Sequence, residues 1–293
     1  MLQENSTLMQ FFRLIKCESL AWSLRRLWCP VPGEALVLEV GSGGNPYFRA
    51  NVLLDAYEET RERHWQPLVK DRPTVLGFVE RLPFRDKCFD FVIASHVLEH
   101  SNDPEAFLSE LQRVAKAGYI EVPDALMERI NPYHDHRLEI TQRDSNLLIR
   151  KKADWQTDPE LVELYEDRVK PVITGETMRK HPFHFHVRYY WQNKINFDVL
   201  NPEVDVNWQP EVSNKADTYQ PGLKARMKEF VLVLARKLLS QTQRNRQLDL
   251  QTLLLCPSCG HEDLEITHSI VKCSGCSREF TCRDGIPVMI MNE

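Results

Sequence analysis

Five short apolar runs and two Cys-x-x-Cys pairs predict an α/β fold: a mostly parallel sheet with a C-terminal β-hairpin, plus a small cysteine-clustered domain. The runs at 35–40, 52–54, 74–78, 89–94 and 118–122 are separated by turn or helical signals, the pattern of strands buried on both faces. With 293 residues, 42% hydrophobic and 27% charged, the chain can build one core of ordinary size and an appendage.

Residues 7 to 29 set Leu8, Phe11, Phe12, Ile15, Trp22, Leu27 and Trp28 among Arg13, Lys16, Arg25 and Arg26, an amphipathic helix or helix pair that Pro30 and Pro32 end. Packing on the following domain is the favoured reading, a lid or membrane-surface helix the other. Asp103 at an N-cap, Pro104 in the first turn, and Phe107, Leu108, Leu111 and Val114 on one face mark a helix before the fifth run. A polar insertion spans about 124–182, with a helix from Asp158-Pro159 to about Val169. Phe183, Phe185, Val187, Tyr189 and Trp191 alternate, Gln192-Asn193-Lys194 turns, and Ile195, Phe197 and Val199 return, which predicts the hairpin. Its other face carries His184, His186, Arg188 and Tyr190, which with His181 could hold an anionic acceptor or simply be solvated. Residues 201 to 220 read as a linker, followed by a helix with Met227, Phe230, Val231, Leu234 and Leu238 on one side and Lys224, Lys228, Arg236 and Lys237 elsewhere; a solvated basic face is favoured over an acidic partner. The expected organisation is therefore 1–30 helical, 31–200 α/β, 201–247 linker and basic helix, and 248–293 the small domain.

The formal net charge of -5 disfavours a protein that tracks along a phosphate backbone. No run of roughly 18 apolar residues occurs, so no membrane span is expected. The first seven residues lack a basic side chain, and Arg13, Lys16 and Glu18 break the apolar stretch beyond, unlike a secretory leader; a cytoplasmic location is expected. There the cluster Cys256, Cys259, Cys273, Cys276 and Cys282 reads as a metal site before a disulfide framework.

Leu36-Val37-Leu38-Glu39-Val40 runs straight into Gly41-Ser42-Gly43-Gly44-Asn45-Pro46. Glycines at a strand end let the backbone approach a ligand and present its N–H groups. A dinucleotide loop needs a third glycine where Pro46 stands, which makes that reading the second choice. Asp55 closes the second run, where a carboxylate can accept from a ribose diol, and Glu39 is placed to hold a ligand amine. The short span between Gly41 and Asp55 leaves little or no room for a crossover helix.

Residues 36 to 123 resemble the class I methyltransferases of small-molecule type, which have a Rossmann-like sheet. The resemblance rests on Glu39-Val-Gly-Ser-Gly-Gly, Leu82-Pro83-Phe84, Cys88-Phe-Asp-Phe-Val-Ile93, Ser95-His-Val-Leu-Glu-His100 and Glu110 to Pro123. It implies S-adenosyl-L-methionine as cofactor, with Gly41, Ser42, Gly43 and Gly44 around its methionine part, Asp55 on the ribose, Val79 and Glu80 near the adenine, and Glu39 and Ser95 completing the set. Phe78 stands where many relatives place an Asp that reaches the adenine amine, so apolar walls and backbone groups are expected there.

Methyl transfer from a sulfonium needs a general base only when the acceptor starts protonated. The candidates are His96, Glu99 and His100, just past the fourth run, and His136 with His134 in Tyr133-His-Asp-His-Arg137. Glu99 and His100 suit a helix cap equally well, and an exposed loop is the favoured reading of His134 and His136. A catalytic metal is conceivable, but no spacing here demands one.

Cys256-Pro-Ser-Cys259 and Cys273-Ser-Gly-Cys276 form two knuckles whose thiolates fill a tetrahedral shell, a structural Zn2+ site with no open position. From Leu248 to Met291 the chain resembles the small zinc-ribbon activator subunits of methyltransferases, which implies an intramolecular activator or stabiliser. The expected acceptor is a small molecule or glycan-type compound, with RNA or protein as the alternative and a non-catalytic binding module as a third reading.

Overall fold

The computed structural model describes residues 2–60, 63, 65–208 and 222–291. In chain order the strands are β1 (Val37–Val40), β2 (Val52–Asp55), β3 (Thr74–Leu76), β4 (Phe91–Ser95), β5 (Ala117–Pro123), β6 (Leu138–Arg143), β7 (Asn146–Lys151), β8 (His186–Gln192), β9 (Phe197–Val199), β10 (Leu264–Ile266), β11 (Ile270–Cys273), β12 (Glu279–Arg283) and β13 (Ile286–Pro287). The chain forms two compact units that do not follow sequence blocks. One comprises Met1–Pro30, Ala94–Leu108 and Ala117–Asn214, the other Val31–Ile93, Ser109–Lys116 and Lys215–Glu293. The strands make a mostly parallel, Rossmann-like sheet and a separate C-terminal antiparallel sheet.

In the second unit β3, β2 and β1 lie side by side in parallel, Leu38 opposite Val52 and Leu54 opposite Val75, and β4 starts beside β1. Every residue of β1, β2 and β3 is buried, which explains why these runs are continuous rather than alternating. The chain passes from β1 to β2 without a helix. Asn51 braces that turn: its Oδ1 accepts from Val37 N at 3.0 Å, and its Nδ2 donates to Asn245 Oδ1 at 2.8 Å. Arg72 does the same from the other side, donating to the carbonyls of Tyr47 and Ala50 and to Ser240 Oγ. The helix Leu223–Leu239 ties in through Arg236, 3.2 Å from Asp71, but leaves Met227, Phe230, Val231 and Leu238 exposed. The side chains of Lys224 and Lys228, and most of the expected linker, lie outside the described residues.

The C-terminal strands β10, β11, β12 and β13 form an antiparallel sheet that meets its own unit in two places. Leu254 bridges Phe84, flanked by Leu255 N to Pro83 O and Arg85 N to Leu253 O. Val288 bridges Leu76 in parallel, and Met289 N donates to Leu76 O at 2.7 Å. The second contact satisfies backbone groups on the outer side of β3, a strand that otherwise ends the sheet. Ile286 packs with Leu68 and Leu76, and Val288 and Ile290 close over them.

In the first unit β5 and β8 pair antiparallel from Ala117 opposite Gln192 to Pro123 opposite His186. The alternation at 187–191 is as expected, with Val187, Tyr189 and Trp191 buried. The pairing is not. The returning run, β9, joins β7 in parallel within a separate β6-β7-β9 sheet, and only the bridge Gln192 to Lys194 remains of the predicted hairpin. The turn residues were suitable, with Asn193 at φ 65°. The longer, almost wholly buried β5 offers β8 a fuller partner than a three-residue strand can. A hairpin does form inside the polar insertion, where β6 and β7 meet through Asp144 and Ser145, both at positive φ. The helix Pro159–Leu164 runs on through π- and α-type turns to Lys180, beyond the expected end.

The N-terminal segment is the helix pair Thr7–Leu14 and Glu18–Leu24. Met9 and Ala21 are buried while Leu8, Phe11 and Leu14 stay exposed. Polar contacts anchor it: Arg188 donates to Asn5 Oδ1 and Glu4 O, and Arg25 reaches Glu121. Among the described residues no helix is long and apolar enough to cross a membrane.

Replacing Asn51 by Ala removes the side-chain hydrogen bonds of a fully buried residue. It is expected to cost about 2–3 kcal/mol of stability, read as a lowered urea midpoint at unchanged m-value.

Candidate active site and metal centre

β1 delivers the chain into Gly41 and Gly43, at φ 63° and 56°, a region other residues enter only with strain. Asp55, 5% exposed, organises the loop: Oδ2 accepts from Gly43 N at 2.9 Å, and Oδ1 accepts from Tyr57 N at 3.1 Å and Arg63 Nη1 at 2.8 Å. Glu39 accepts from Tyr47 N at 2.7 Å, so it staples the loop's far end instead of standing idle for a ligand amine. A Cβ on Gly44 would fall 2.6 Å from Gln66 Cδ, so the Gln66 side chain seats on the loop where glycine leaves room for it. The Ser42 hydroxyl is buried in the loop with no hydrogen-bond partner among the described residues. Beyond β3, Val79 is buried and Glu80 half-buried in the turn Val79–Arg81, and the exposed rings of Tyr57 and Phe78 meet edge to face at 6.0 Å. Carboxylate, strand-end N–H groups, an orphaned hydroxyl and aromatic faces together suit a nucleoside with a charged tail.

The remaining predicted residues belong to the first unit. Glu121 lies wholly buried on β5 and takes a bidentate grip from Arg25, Nε to Oε2 at 2.7 Å and Nη2 to Oε1 at 2.9 Å, with further donation from Ser95 Oγ and Tyr119 Oη. Ser95 is thus committed to Glu121. Burial works to raise the Glu121 pKa, but His96 and Arg25 outweigh it and hold the group well below the usual carboxylate range. His96, at φ 58°, sets Nε2 3.3 Å from Glu121 Oε1 and Nδ1 3.3 Å from Glu99 Oε1. Desolvation lowers its pKa, yet the two carboxylates push it up to about 9. In that state both ring nitrogens carry protons and face the protein's own carboxylates, which leaves His96 no lone pair to act as a base.

Glu99 and His100 follow on the turn Leu98–His100, and His136 comes to them from the loop before β6, where Arg137 N donates to Glu99 O at 2.7 Å. The exposed-loop reading of His136 is therefore corrected: its Nδ1 lies 2.7 Å from Glu128 Oε2 in a half-buried cluster. His134 does sit on the surface, stacked on Trp155 at 4.2 Å. The proposed anion face on β8 is occupied by the protein: Arg188 bonds Asn5, Glu4 and the hydroxyls of Tyr119 and Tyr190, and His186 Nδ1 faces Pro182 O. Arg25, Glu121, Glu128 and Lys152 were not singled out from sequence. The clue for Glu121 was a charge inside a run that is otherwise apolar. For Lys152, 1% exposed at its side chain and paired with Glu128 at 2.7 Å, no such clue exists.

The four knuckle cysteines come together as expected. Sγ of Cys256 and Cys276 are 3.8 Å apart, those of Cys259 and Cys273 3.6 Å, and all four sulfurs lie within 4.8 Å. Four thiolates about 2.3 Å from one Zn2+ would be separated by about 3.8 Å, so the set fits that ion. Gly275 lets the second knuckle pass His261, whose Cγ a Cβ would approach to 2.7 Å. Cys282 stands apart on β12.

Residues 38–120 match the family described as "Methyltransferase domain". Over 108 residues the chain is 32% identical to the ubiquinone/menaquinone biosynthesis C-methyltransferase UbiE of Xylella fastidiosa strain M23, covering 35% of this chain and 36% of that protein. Over 70 residues it is 41% identical to the uncharacterized methyltransferase C1B3.06c of Schizosaccharomyces pombe, covering 22% and 25%. A solved chain from the complex of the Haloferax volcanii Trm112 methyltransferase activator with a methyltransferase aligns at a TM-score of 0.29 and 17% identity, over 47% of this chain and 78% of that one. The chain thus spans between a quarter and about a third of the length of the curated relatives it matches.

Cobalt substitution tests the tetrathiolate. The full-length protein is expected to show strong sulfur-to-cobalt charge transfer in the near ultraviolet, and Cys259→Ser to lose most of it.

Proposed function

We propose that this chain is an S-adenosylmethionine-dependent methyltransferase that acts on a small-molecule or glycan-type acceptor. The observation that carries the reading is the Asp55-organised glycine loop at the end of β1, inside the stretch that matches the methyltransferase family. The cofactor supplies an electrophilic methyl group on a sulfonium. Asp55 would accept the ribose hydroxyls once the Arg63 guanidinium yields Oδ1, the Ser42 hydroxyl and the loop N–H groups would meet the methionine part, and Tyr57, Phe78 and Val79 would wall the adenine. Displacement at a sulfonium needs no acid for the leaving group, so holding the acceptor atom in line can supply most of the acceleration, up to roughly 7–11 kcal/mol in well-oriented systems.

The name of the Xylella relative, a ubiquinone/menaquinone biosynthesis C-methyltransferase, favours a small-molecule acceptor. In the organisation proposed here, residues 31–200 form the catalytic domain and 248–293 a zinc ribbon that acts as an intramolecular stabiliser. The bridge between Val288 and Leu76 and the packing of Ile286 on Leu68 and Leu76 support that role. An RNA or protein acceptor is the second reading, motivated by the sequence resemblance of Leu248 to Met291 to activator subunits; steeply salt-dependent RNA binding would decide for RNA.

Calorimetry with S-adenosylhomocysteine is expected to show saturable binding, weakened about 10- to 100-fold by Asp55→Asn. No affinity for this compound or for the cofactor sinks the reading. A chain ending at residue 247 bares the outer side of β3 and its apolar cluster, and is expected to aggregate on expression; equal solubility and turnover would leave the ribbon without a stabilising role.

A further inference from the structure

Glu99 is buried to 1% exposure, and neither of its carboxylate oxygens has a hydrogen-bond partner among the described residues. His96 Nδ1, 3.3 Å from Oε1, is shared with Glu121 on the other side of the ring. A buried carboxylate that only shares one imidazolium is under-compensated and favours a second cation. The ligating atoms of Glu99, His100 and His136 all lie within 4.8 Å of one another, and the two rings stand edge to face with centroids 4.7 Å apart. Both imidazoles are oriented through Nδ1: that of His100 lies 3.0 Å from Asp135 O, and that of His136 2.7 Å from Glu128 Oε2. Glu128 is itself buried and held by Lys152 Nζ at 2.7 Å and Tyr133 N at 3.1 Å. A proton held at Nδ1 by a carbonyl or carboxylate leaves Nε2 with its lone pair and makes it more basic, the usual support of a metal-binding histidine.

We propose that Glu99, His100 and His136 bind a divalent first-row transition-metal ion, with the two Nε2 atoms and the Glu99 carboxylate as ligands. Two imidazoles and a carboxylate favour Zn2+, Fe2+ or Co2+ over Mg2+ and Ca2+, which prefer oxygen alone. Three protein ligands leave a position open, unlike the closed tetrathiolate of the ribbon, so the two sites differ in chemistry as well as in sequence position. When Glu99 turns to the ion, Glu121 keeps the charge partnership with His96.

The test uses the full-length protein with its cysteine site filled by Zn2+, titrated with Co2+ and followed by visible absorbance and elemental analysis. About one further equivalent per chain is expected, with weak d–d bands and no sulfur charge transfer. His136→Ala and Glu99→Gln should abolish this uptake while the cysteine-bound zinc and cooperative thermal unfolding persist. Glu128→Gln should weaken it about 10- to 100-fold. Wild-type protein that takes up no further cobalt overturns the proposal, whatever the variants do, and so does uptake by folded variants equal to wild type. Neither readout involves the methyl donor, so the outcome is independent of the proposed activity.

Discussion

A carboxylate taken out of water must find donors or cations, and the arrangement of this protein follows from how its buried acids meet that demand. Glu39 and Asp55 meet it with backbone N–H groups of the glycine loop and with Arg63, so the same bonds that satisfy the charges shape the loop. Glu121 meets it with Arg25, Ser95, Tyr119 and His96, which draws the N-terminal helices onto β5. Glu128 meets it with Lys152, the Tyr133 N–H and His136. Glu99 is left among three imidazoles with no hydrogen bond to either oxygen, and that difference from its neighbours sets it apart as a ligand.

The C-terminal region answers a different demand. A short edge strand such as β3 exposes unpaired backbone groups and the apolar side chains beside them. The tail from Ile286 to Met289 supplies both a hydrogen-bonding partner and apolar cover, while Leu253 to Leu255 fasten the stretch Pro83 to Arg85. These segments flank the cysteine knuckles in the sequence. A metal that ties the knuckles together thereby steadies the first attachment point, which directly precedes Cys256, and anchors the small sheet whose last strand carries the second.

Some of the chemistry was readable one residue at a time. The glycine loop, Asp55 at the end of β2, the cap at Asp103 and the paired knuckles are local patterns, whose geometry follows from φ preferences, strand burial and ligand spacing. Strand 186–192 was readable as a strand, since its alternation is a property of the strand alone. Its partner was not: Gln192-Asn193-Lys194 suits a tight turn, yet pairing goes to the edge that buries the most.

From sequence alone came the α/β class, the glycine loop at the end of β1 and the thiolate set, each written in local runs and spacings. Tertiary structure decided which edge β8 joins, that β3 is capped by the tail, and that His136 and Lys152 arrive beside Glu99 and Glu128. Those outcomes turn on desolvation, which is a property of the packed environment: a carboxylate reads the same in sequence whether water, a guanidinium or an imidazole stands next to it.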